Sequence, residues 1–255
     1  MAYNERMKII LNILTHGDEK IGLRVIREIK KLNIDEEVLF VQVANEKAAK
    51  LGKRFIDQDL NRSFPGKRNG NYEQKLAMKL LPVIKSADIV LDIHSTTSNL
   101  NDALIVTKLD KEILKYIKII QPKYTLLMNI TKNSALISNA KIGLAFEYGK
   151  DKDQRVIRKI VRDIKKVLAS AGLINFKYSE KQVTTKFFSV DSEFKKEKGY
   201  KLMLSIKNYQ LVKKGEIVAK RGNKFVFAKK DFYTILFGKS NYKDIFGFRG
   251  KLLLK

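Results

Sequence analysis

The feature that most constrains the fold of this 255-residue chain is an alternation of two hydrophobic patterns over its first two thirds. Short runs of branched apolar residues, such as MKIILNIL at 7–14 and EEVLFVQVA near 37–44, are typical of buried strands. Between them, residues 20–32 carry isoleucines and Val25 at helical spacing. Further strands are expected at about 87–94, 103–107, 124–129 and 142–147, and helices at 45–52, 71–86 and 151–171. This alternation predicts an α/β fold with a mostly parallel sheet.

The pattern changes after residue 172. From about residue 175 the chain consists of short alternating segments, including QVTTKFFSV and EIVAKRGNKFVFAKK, which are separated by Gly, Asn, Lys and Asp. Short strands between such turn residues are typical of β-rich structure. We therefore predict two domains, an α/β domain over residues 1–172 and a small β-rich domain over residues 173–255.

The chain has two histidines and no cysteine, so any metal site must be built from His, Asp and Glu. His16 follows the first predicted strand, His94 ends the strand DIVLDIH, and Glu147 ends the strand IGLAFE. A parallel sheet places its ligands at the carboxyl ends of its strands, so we expect these side chains at one edge. Glu19, three residues after His16, is able to converge on the same metal ion.

Two histidines and one glutamate are a known ligand set of catalytic zinc, which keeps a further position for water. Taken singly, each residue also has a simpler interpretation. A histidine at a strand end is commonly structural, and a nearby glutamate is commonly a solvated charge. Because both histidines of the chain fall at the same predicted edge, the pattern favours a metal site formed by His16, Glu19 and His94.

The formal net charge is +25, and most of the excess lies in the last third of the chain. Residues 1–150 carry a net charge of +8 and residues 151–255 a net charge of +17. Such a surface is able to attract nucleic acid or another polyanion, although surface lysines are more commonly only solvated. No run approaches the roughly 20 apolar residues that span a bilayer, and no cleavage-site pattern follows the N-terminus, so we expect a cytoplasmic protein without membrane association.

Four motifs occur in order along the chain: HGDE at 16–19, DLNRSFPG at 59–66, DIHSTTS at 92–98 and FEYG at 146–149. Together they resemble the succinylglutamate desuccinylase/aspartoacylase family of the wider zinc carboxypeptidase-like group. The resemblance covers about residues 7–170. It implies a zinc-carboxypeptidase-like, mostly parallel mixed sheet flanked by helices, and a small C-terminal β-rich domain also fits the family.

The resemblance also implies the ligands of one zinc ion per chain, which are His16, Glu19 and His94. Asp92 is a candidate to orient a ligand histidine, because metal-bound histidine usually donates its other N–H to a carboxylate or carbonyl. A site of two histidines and one glutamate also accepts cobalt, nickel or manganese, so the sequence leaves the metal used in the cell open.

The remaining site residues are implied by the same motifs. Arg54 matches an arginine that polarises the scissile carbonyl and steadies the charge on its oxygen. Asn61 and Arg62 match a pair that grips a substrate carboxylate. Glu147 matches the carboxylate that activates the zinc-bound water.

One departure from the family pattern bears on the substrate. Aspartoacylase-like members carry another arginine shortly before the catalytic glutamate, and it binds a second substrate carboxylate. The corresponding segment here, NSALISNAKIGLAFE at 133–147, contains no arginine, which disfavours an aspartate-type substrate. Near the C-terminus, the segment KSNYKDIFGFRG is a candidate to place Tyr242 or Lys243 in the substrate pocket.

These inferences predict a zinc-dependent hydrolase that cleaves the amide bond of a small N-acyl amino acid with metal-activated water. A carboxypeptidase that acts on peptides is the nearest alternative. The other is a non-enzymatic protein that binds nucleic acid or another polyanion through the basic last third of the chain. The acyl group, the amine and the oligomeric state are not predicted.

Overall fold

Strands and helices alternate in the computed structural model, which describes residues 6–97, 102–178, 184–239 and 242–254. The helices are α1 (Ile21–Lys30), α2 (Glu46–Lys50), α3 (Tyr72–Ser86), α4 (Lys111–Ile120) and α5 (Gln154–Ser170). The first six strands are β1 (Ile9–Ile13), β2 (Leu39–Val43), β3 (Ile89–His94), β4 (Ala103–Val106), β5 (Tyr124–Met128) and β6 (Ile142–Glu147). The C-terminal strands are β7 (Lys186–Lys195), β8 (Lys201–Leu202), β9 (Leu211–Val212), β10 (Ile217–Arg221), β11 (Lys224–Phe227), β12 (Phe232–Ile235) and β13 (Ile245–Leu254).

A ten-stranded sheet holds most of these strands, in the order β2-β1-β3-β6-β4-β5-β7-β13-β12-β9. Strands β2, β1, β3 and β6 run parallel, β4 is antiparallel to β6, and β5 and β7 run parallel to β4. Strands β13, β12 and β9 then alternate in direction. A smaller antiparallel sheet has the order β11-β10-β8. The predicted α/β architecture, with a mostly parallel mixed sheet and a β-rich C-terminal region, is thereby confirmed.

Helices cover both faces of the first strands. Alternate residues of β1, β3 and β6, among them Leu11 and Phe146, pack with α1, α4 and α5 in one core. Residues that point to the opposite face, such as Val90 and Ala145, pack with α3 in a second core. Each central strand is therefore buried on both faces, which explains its nearly continuous apolar sequence. None of the helices in the described residues is long and apolar enough to cross a membrane.

The C-terminal strands continue the main sheet. Strand β7 pairs in parallel with β5, and one core joins Leu126 and Met128 of β5 with Phe188 of β7 and Phe248 of β13. The predicted boundary between residues 172 and 173 falls after α5. The main sheet contains strands from both sides of this boundary, with β1 to β6 before it and β7, β9, β12 and β13 after it. The division into two domains stays a prediction.

The sequence pattern does not predict helix α4 or the strands β9 and β13. Helix α4 begins after Asp110, whose side chain accepts a hydrogen bond from the Ile113 N–H. Strand β13 pairs along β7 with several shifts in register. It carries Gly247 and Gly250, and a Cβ at either residue would lie within 3 Å of neighbouring atoms. The glycines that this packing requires also weaken the strand signal in the sequence.

Candidate metal centre and substrate pocket

The polar side chains predicted for the site lie at the carboxyl ends of three neighbouring strands. His16 follows β1, His94 ends β3, and Glu147 ends β6. These strands are adjacent in the sheet, and His94 and Glu147 are direct partners in the pairing of β3 with β6. The sheet edge inferred from the sequence therefore exists in the structure.

A buried cluster of His16, Glu19 and His94 has ligand atoms within 4.8 Å of one another. The two imidazoles approach opposite oxygens of one carboxylate. His16 Nδ1 lies 3.0 Å from Glu19 Oε1, and His94 Nδ1 lies 2.8 Å from Glu19 Oε2. Two ring nitrogens and a carboxylate thus converge on one point, as the donors of a metal site must.

The other ring nitrogen of each histidine lies against a second carboxylate. His16 Nε2 lies 3.0 Å from Asp59 Oδ1, and His94 Nε2 lies 2.7 Å from Asp92 Oδ2. The Asp92 carboxylate is fixed in turn by the Thr15 hydroxyl, which donates to its Oδ1 at 2.8 Å. Carboxylates in this position hold a metal-binding imidazole in one tautomer and orientation. The contact of Asp92 is the one proposed from the sequence.

The electrostatics of the cluster favour positive charge between the donors. Burial alone would raise the pKa of the Glu19 carboxyl, but His16 and His94 outweigh it and hold that pKa well below its ordinary value. Burial alone would lower the pKa of His94, but Asp92 and Glu19 outweigh it and raise that pKa well above its ordinary value. The site therefore stabilises a cation at this point, either a proton or a metal ion.

Arg54 reaches the cluster from the loop that follows α2. Its Nη1 donates to Glu19 Oε1 at 2.8 Å, and its Nη2 lies 2.9 Å from His16 Nε2 and donates to Asp59 Oδ2 at 3.3 Å. The loop is anchored where the Gly17 N–H donates to the Arg54 carbonyl at 3.0 Å. A Cβ on Gly17 would lie 2.3 Å from the Ala48 backbone, so this close approach requires glycine.

The same loop is held by Glu73, a fully buried carboxylate in the first turn of α3. It accepts the backbone N–H groups of Ile56, Asp57 and Gln58 at 2.6, 2.9 and 3.2 Å. The Asn45 amide donates to it at 3.1 Å. These bonds tie the loop that carries Arg54 to α3. In the sequence, Glu73 looks like any solvent-exposed glutamate of a helix. Its role in holding this loop is visible only in the folded structure.

Asn61 and Arg62 lie in the turn that follows Asp59, and both line the pocket. The Leu136 N–H donates to Asn61 Oδ1 at 2.9 Å, and Asn61 Nδ2 lies 3.5 Å from His94 Nε2 at the edge of the metal cluster. The Arg62 guanidinium donates to the Asn61 carbonyl at 3.1 Å, and no ion pair joins it to a carboxylate among the described residues. Its parallel N–H groups are suited to a ligand carboxylate.

Glu147 makes a contact that the sequence did not predict. Lys239 Nζ lies 2.6 Å from Glu147 Oε1, and both side chains are buried. Within the described part of the chain, Glu147 Oε2 is buried without a hydrogen-bond partner. Burial alone would lower the pKa of Lys239, but Glu147 outweighs it and raises that pKa above its ordinary value.

These residues surround a cavity of about 770 Å³. Its polar side carries the histidines, Arg54, Asn61 and Arg62, and Glu147 also lines it. Part of the cavity wall is apolar and includes Ile105, Met128, Ile137, Leu236, Ile245 and Phe248, while the charged residues Glu193, Lys195 and Asp244 also line the cavity. Tyr242 and Lys243 line the cavity too, as the sequence suggested for at least one of them.

Comparison with known proteins identifies the family. A profile of the succinylglutamate desuccinylase/aspartoacylase catalytic domain matches residues 8–171. The chain therefore belongs to this family, as its four motifs predict.

It is 29% identical over 171 residues to a probable aspartoacylase of Acaryochloris marina, which covers 58% of this chain and 57% of that protein. It is 32% identical over 127 residues to an N-acyl-aromatic-L-amino acid amidohydrolase (carboxylate-forming) of Xenopus tropicalis, which covers 43% of this chain and 40% of that protein. The chain thus spans about half the length of these relatives.

Solved structures confirm the fold over nearly the whole chain. Murine aminoacylase 3 superposes with a TM-score of 0.77 at 16% identity, covering 97% of this chain and 96% of that chain. A succinylglutamate desuccinylase from Vibrio parahaemolyticus superposes with a TM-score of 0.70 at 16% identity, covering 98% of this chain and 83% of that chain. The C-terminal β-rich region is therefore part of the shared fold.

Proposed function

We propose that this chain is a zinc-dependent deacylase that hydrolyses the amide bond of a small N-acyl amino acid. The observation that carries the proposal is the convergence of His16, Glu19 and His94 beside a cavity that His16 and His94 line together with the buried carboxylate of Glu147. A metal site alone fits many roles. A metal site beside a carboxylate and a guanidinium that has no ion pair among the described residues fits hydrolysis of a substrate that carries a carboxylate.

The donor set suits zinc. Two imidazole nitrogens and one carboxylate are a known catalytic ligand set, and Asp59 and Asp92 lie against the other nitrogens of the two histidines. When bound, zinc acts as a Lewis acid and lowers the pKa of a coordinated water to roughly 7.

Glu147 is the proposed general base and acid. Its free Oε2 takes a proton from the attacking water and delivers a proton to the leaving amine. Arg54 meets the charge that develops on the carbonyl oxygen. A guanidinium has five N–H donors, and the contacts of Arg54 with Glu19, Asp59 and His16 leave donors for this role. Loss of one such donor typically costs about 3–4 kcal/mol of transition-state stabilisation.

The residues that line the pocket also support a proposal about the kind of substrate. The Asn61 amide and the Arg62 guanidinium are proposed to bind its carboxylate. The apolar wall then receives an apolar part of the acyl group or the amino acid, which agrees with the absence of an arginine in residues 133–147. A cavity of about 770 Å³ falls within the roughly 300–1,000 Å³ of small-molecule sites. This size favours a small acylated substrate over a peptide.

Metal analysis combined with a substrate screen tests the proposal. Wild-type protein purified without an affinity tag is expected to hold about one zinc per chain, and His94→Ala is expected to lose it, because three protein ligands become two. Zinc-loaded wild type is expected to release free amino acid from part of a panel of N-acyl amino acids. A chelator is expected to abolish this activity, and added zinc to restore it.

A matched control separates loss of the metal from general destabilisation. Asp110→Ala removes the cap of α4, away from the site, and is expected to cost about 1 kcal/mol of folding free energy with zinc retained. Wild type that binds no zinc even in excess contradicts the metal assignment. Wild type that binds zinc but cleaves no N-acyl amino acid contradicts the deacylase assignment and makes peptides the next substrates to test.

A further inference from the structure

Lys239 and Glu147 form a buried ion pair, and both residues line the cavity. The Lys239 side chain is 2% exposed and that of Glu147 is 7% exposed, and the two polar atoms lie 2.6 Å apart. Lys239 uses one carboxylate oxygen, Oε1, and leaves the other, Oε2, without a partner among the described residues. The two residues lie 92 positions apart in the sequence. The pair therefore joins the segment after β12 to the end of β6.

We propose that Lys239 is a positioning residue that holds the Glu147 carboxylate in one orientation, with Oε2 kept free for proton transfer. This inference rests on the proposed function, because it acts through the general base assigned there. An ammonium group bound to Oε1 limits rotation of the carboxylate. A general base works best when its carboxylate oxygen points at the proton that it removes. A displacement of a reacting group by about 1 Å costs about 100-fold in reaction rate, so restricting the carboxylate favours catalysis.

A purely stabilising role explains the pair less well. Two buried charges lose hydration, and a buried ion pair commonly adds little stability compared with apolar residues of the same volume. A lysine at this position therefore costs folding free energy that an apolar residue would not, and the site that it contacts supplies the reason for it.

The location of Lys239 gives the C-terminal region a direct part in the reaction centre. Lys239 follows β12, and its Nζ lies 5.5 Å from the ring centre of Tyr242. The ring faces the ammonium group and adds a favourable cation–π contact. The end of the lysine is thus held by Glu147 and Tyr242, which limits the conformations of all three side chains.

The test is a comparison of Lys239→Met and Lys239→Arg in zinc-loaded protein. Lys239→Met keeps an unbranched side chain that is one heavy atom shorter and removes the charge, and we expect kcat to fall about 30-fold with KM changed less than about 2-fold. Lys239→Arg keeps a cationic donor, and we expect it to recover most of kcat. A crystal structure of Lys239→Met is expected to show the Glu147 carboxylate rotated from its wild-type position.

A double-mutant cycle distinguishes positioning from direct action. In a Glu147→Gln background, Lys239→Met is expected to change the residual kcat less than about 2-fold, because the group through which Lys239 acts is already lost. An equal loss of kcat in both backgrounds would overturn the proposal, since Lys239 would then act on the substrate. Wild-type kcat in folded, zinc-loaded Lys239→Met would overturn it as well.

Lys166 provides a matched control. It is also buried and lies 3.5 Å from the Asp163 carboxylate, but it does not line the cavity. Lys166→Met is expected to lower the melting temperature without changing the kcat of the folded protein. If Lys239→Met does not fold, Lys239→Arg and Lys239→Gln decide, because kcat should follow the retained charge in the order Lys, Arg, Gln. Wild-type activity and zinc content are measured first, so failure of the proposed function is recognised separately.

Discussion

Two regions of the molecule share one sheet but contribute different chemistry. Residues 8–171 carry the proposed metal ligands, Arg54, the Asn61 and Arg62 pair and Glu147, all at strand ends or in the loops beside them. Residues 186–254 contribute the apolar side chains of Leu236, Ile245 and Phe248 to the cavity wall, together with the polar or charged residues Glu193, Lys195, Lys239, Tyr242, Lys243 and Asp244. The first region supplies most of the reactive groups, and the second encloses them.

The difference follows from strand direction. The parallel strands β1, β3 and β6 all end at one edge, so the polar residues that follow them meet there. Strands β7, β13 and β12 pair antiparallel with one another, so their carboxyl ends do not meet at one edge of the sheet. Their side chains line a surface beside the site instead. One edge therefore gathers polar groups, and the adjoining surface forms a wall. Variants in each region should consequently fail in different ways.

The largest effect is expected in the first region, from Glu147→Gln. The amide keeps the size of the side chain but cannot accept the proton, and we expect kcat to fall about 1,000-fold with zinc retained. The measurement is steady-state kinetics with metal content on the same sample. Asp163→Asn is the control, because Asp163 is also a buried carboxylate bonded to a lysine, Lys159, at 2.8 Å. It should lose stability and keep kcat. If Glu147→Gln retains full activity, the base lies elsewhere and the contrast between the regions is wrong.

An intermediate effect is expected from Arg62→Met, which sharpens the comparison within the first region. Loss of a charged hydrogen bond to a substrate carboxylate should lower kcat/KM about 30-fold, chiefly through KM, because ground state and transition state lose the same contact. Arg68→Met is the control, since Arg68 is an exposed arginine of the same loop that does not line the cavity. An equal loss in both variants would mean that the positive charge of the loop, rather than Arg62, attracts the substrate.

The site in the first region was largely predictable because its signals are local. His16 and Glu19 lie three residues apart, and His94 and Glu147 end apolar runs whose length and composition mark strands. A strand end is a position that the sequence reveals, and parallel pairing brings such ends together. The alternation of strands and helices similarly predicted the sheet, and the structure confirms it.

The contacts of Lys239 and Glu73 were not predictable because they depend on distant chain segments. The sequence contains 52 lysines and arginines, and nothing in the neighbourhood of Lys239 distinguishes it from those on the surface. It becomes a contact of Glu147 only after β12 joins the main sheet. Glu73 is likewise distinguished only by the loop that folds over α3. Pairings across strands of the C-terminal region have no motif, so the wall that they build was not predictable either.

The smallest effect is expected in the second region, from Ile245→Ala. Ile245 lies on β13 and lines the apolar wall, and truncation removes part of the surface proposed to receive the apolar group of the substrate. We expect kcat/KM for an N-acyl amino acid with a bulky apolar group to fall about 10-fold relative to N-acetylglycine. The ratio between the two substrates, measured in competition, is the observable.

The control for this change lies on the same strand. Leu253 is 44% exposed and does not line the cavity, so Leu253→Ala should leave the substrate ratio unchanged. A ratio that moves in Ile245→Ala alone would assign substrate selection to the second region, which the strand directions lead us to expect. A ratio unchanged in both variants would mean that the wall encloses the site without selecting the substrate, and selectivity would then have to come from the polar edge of the first region.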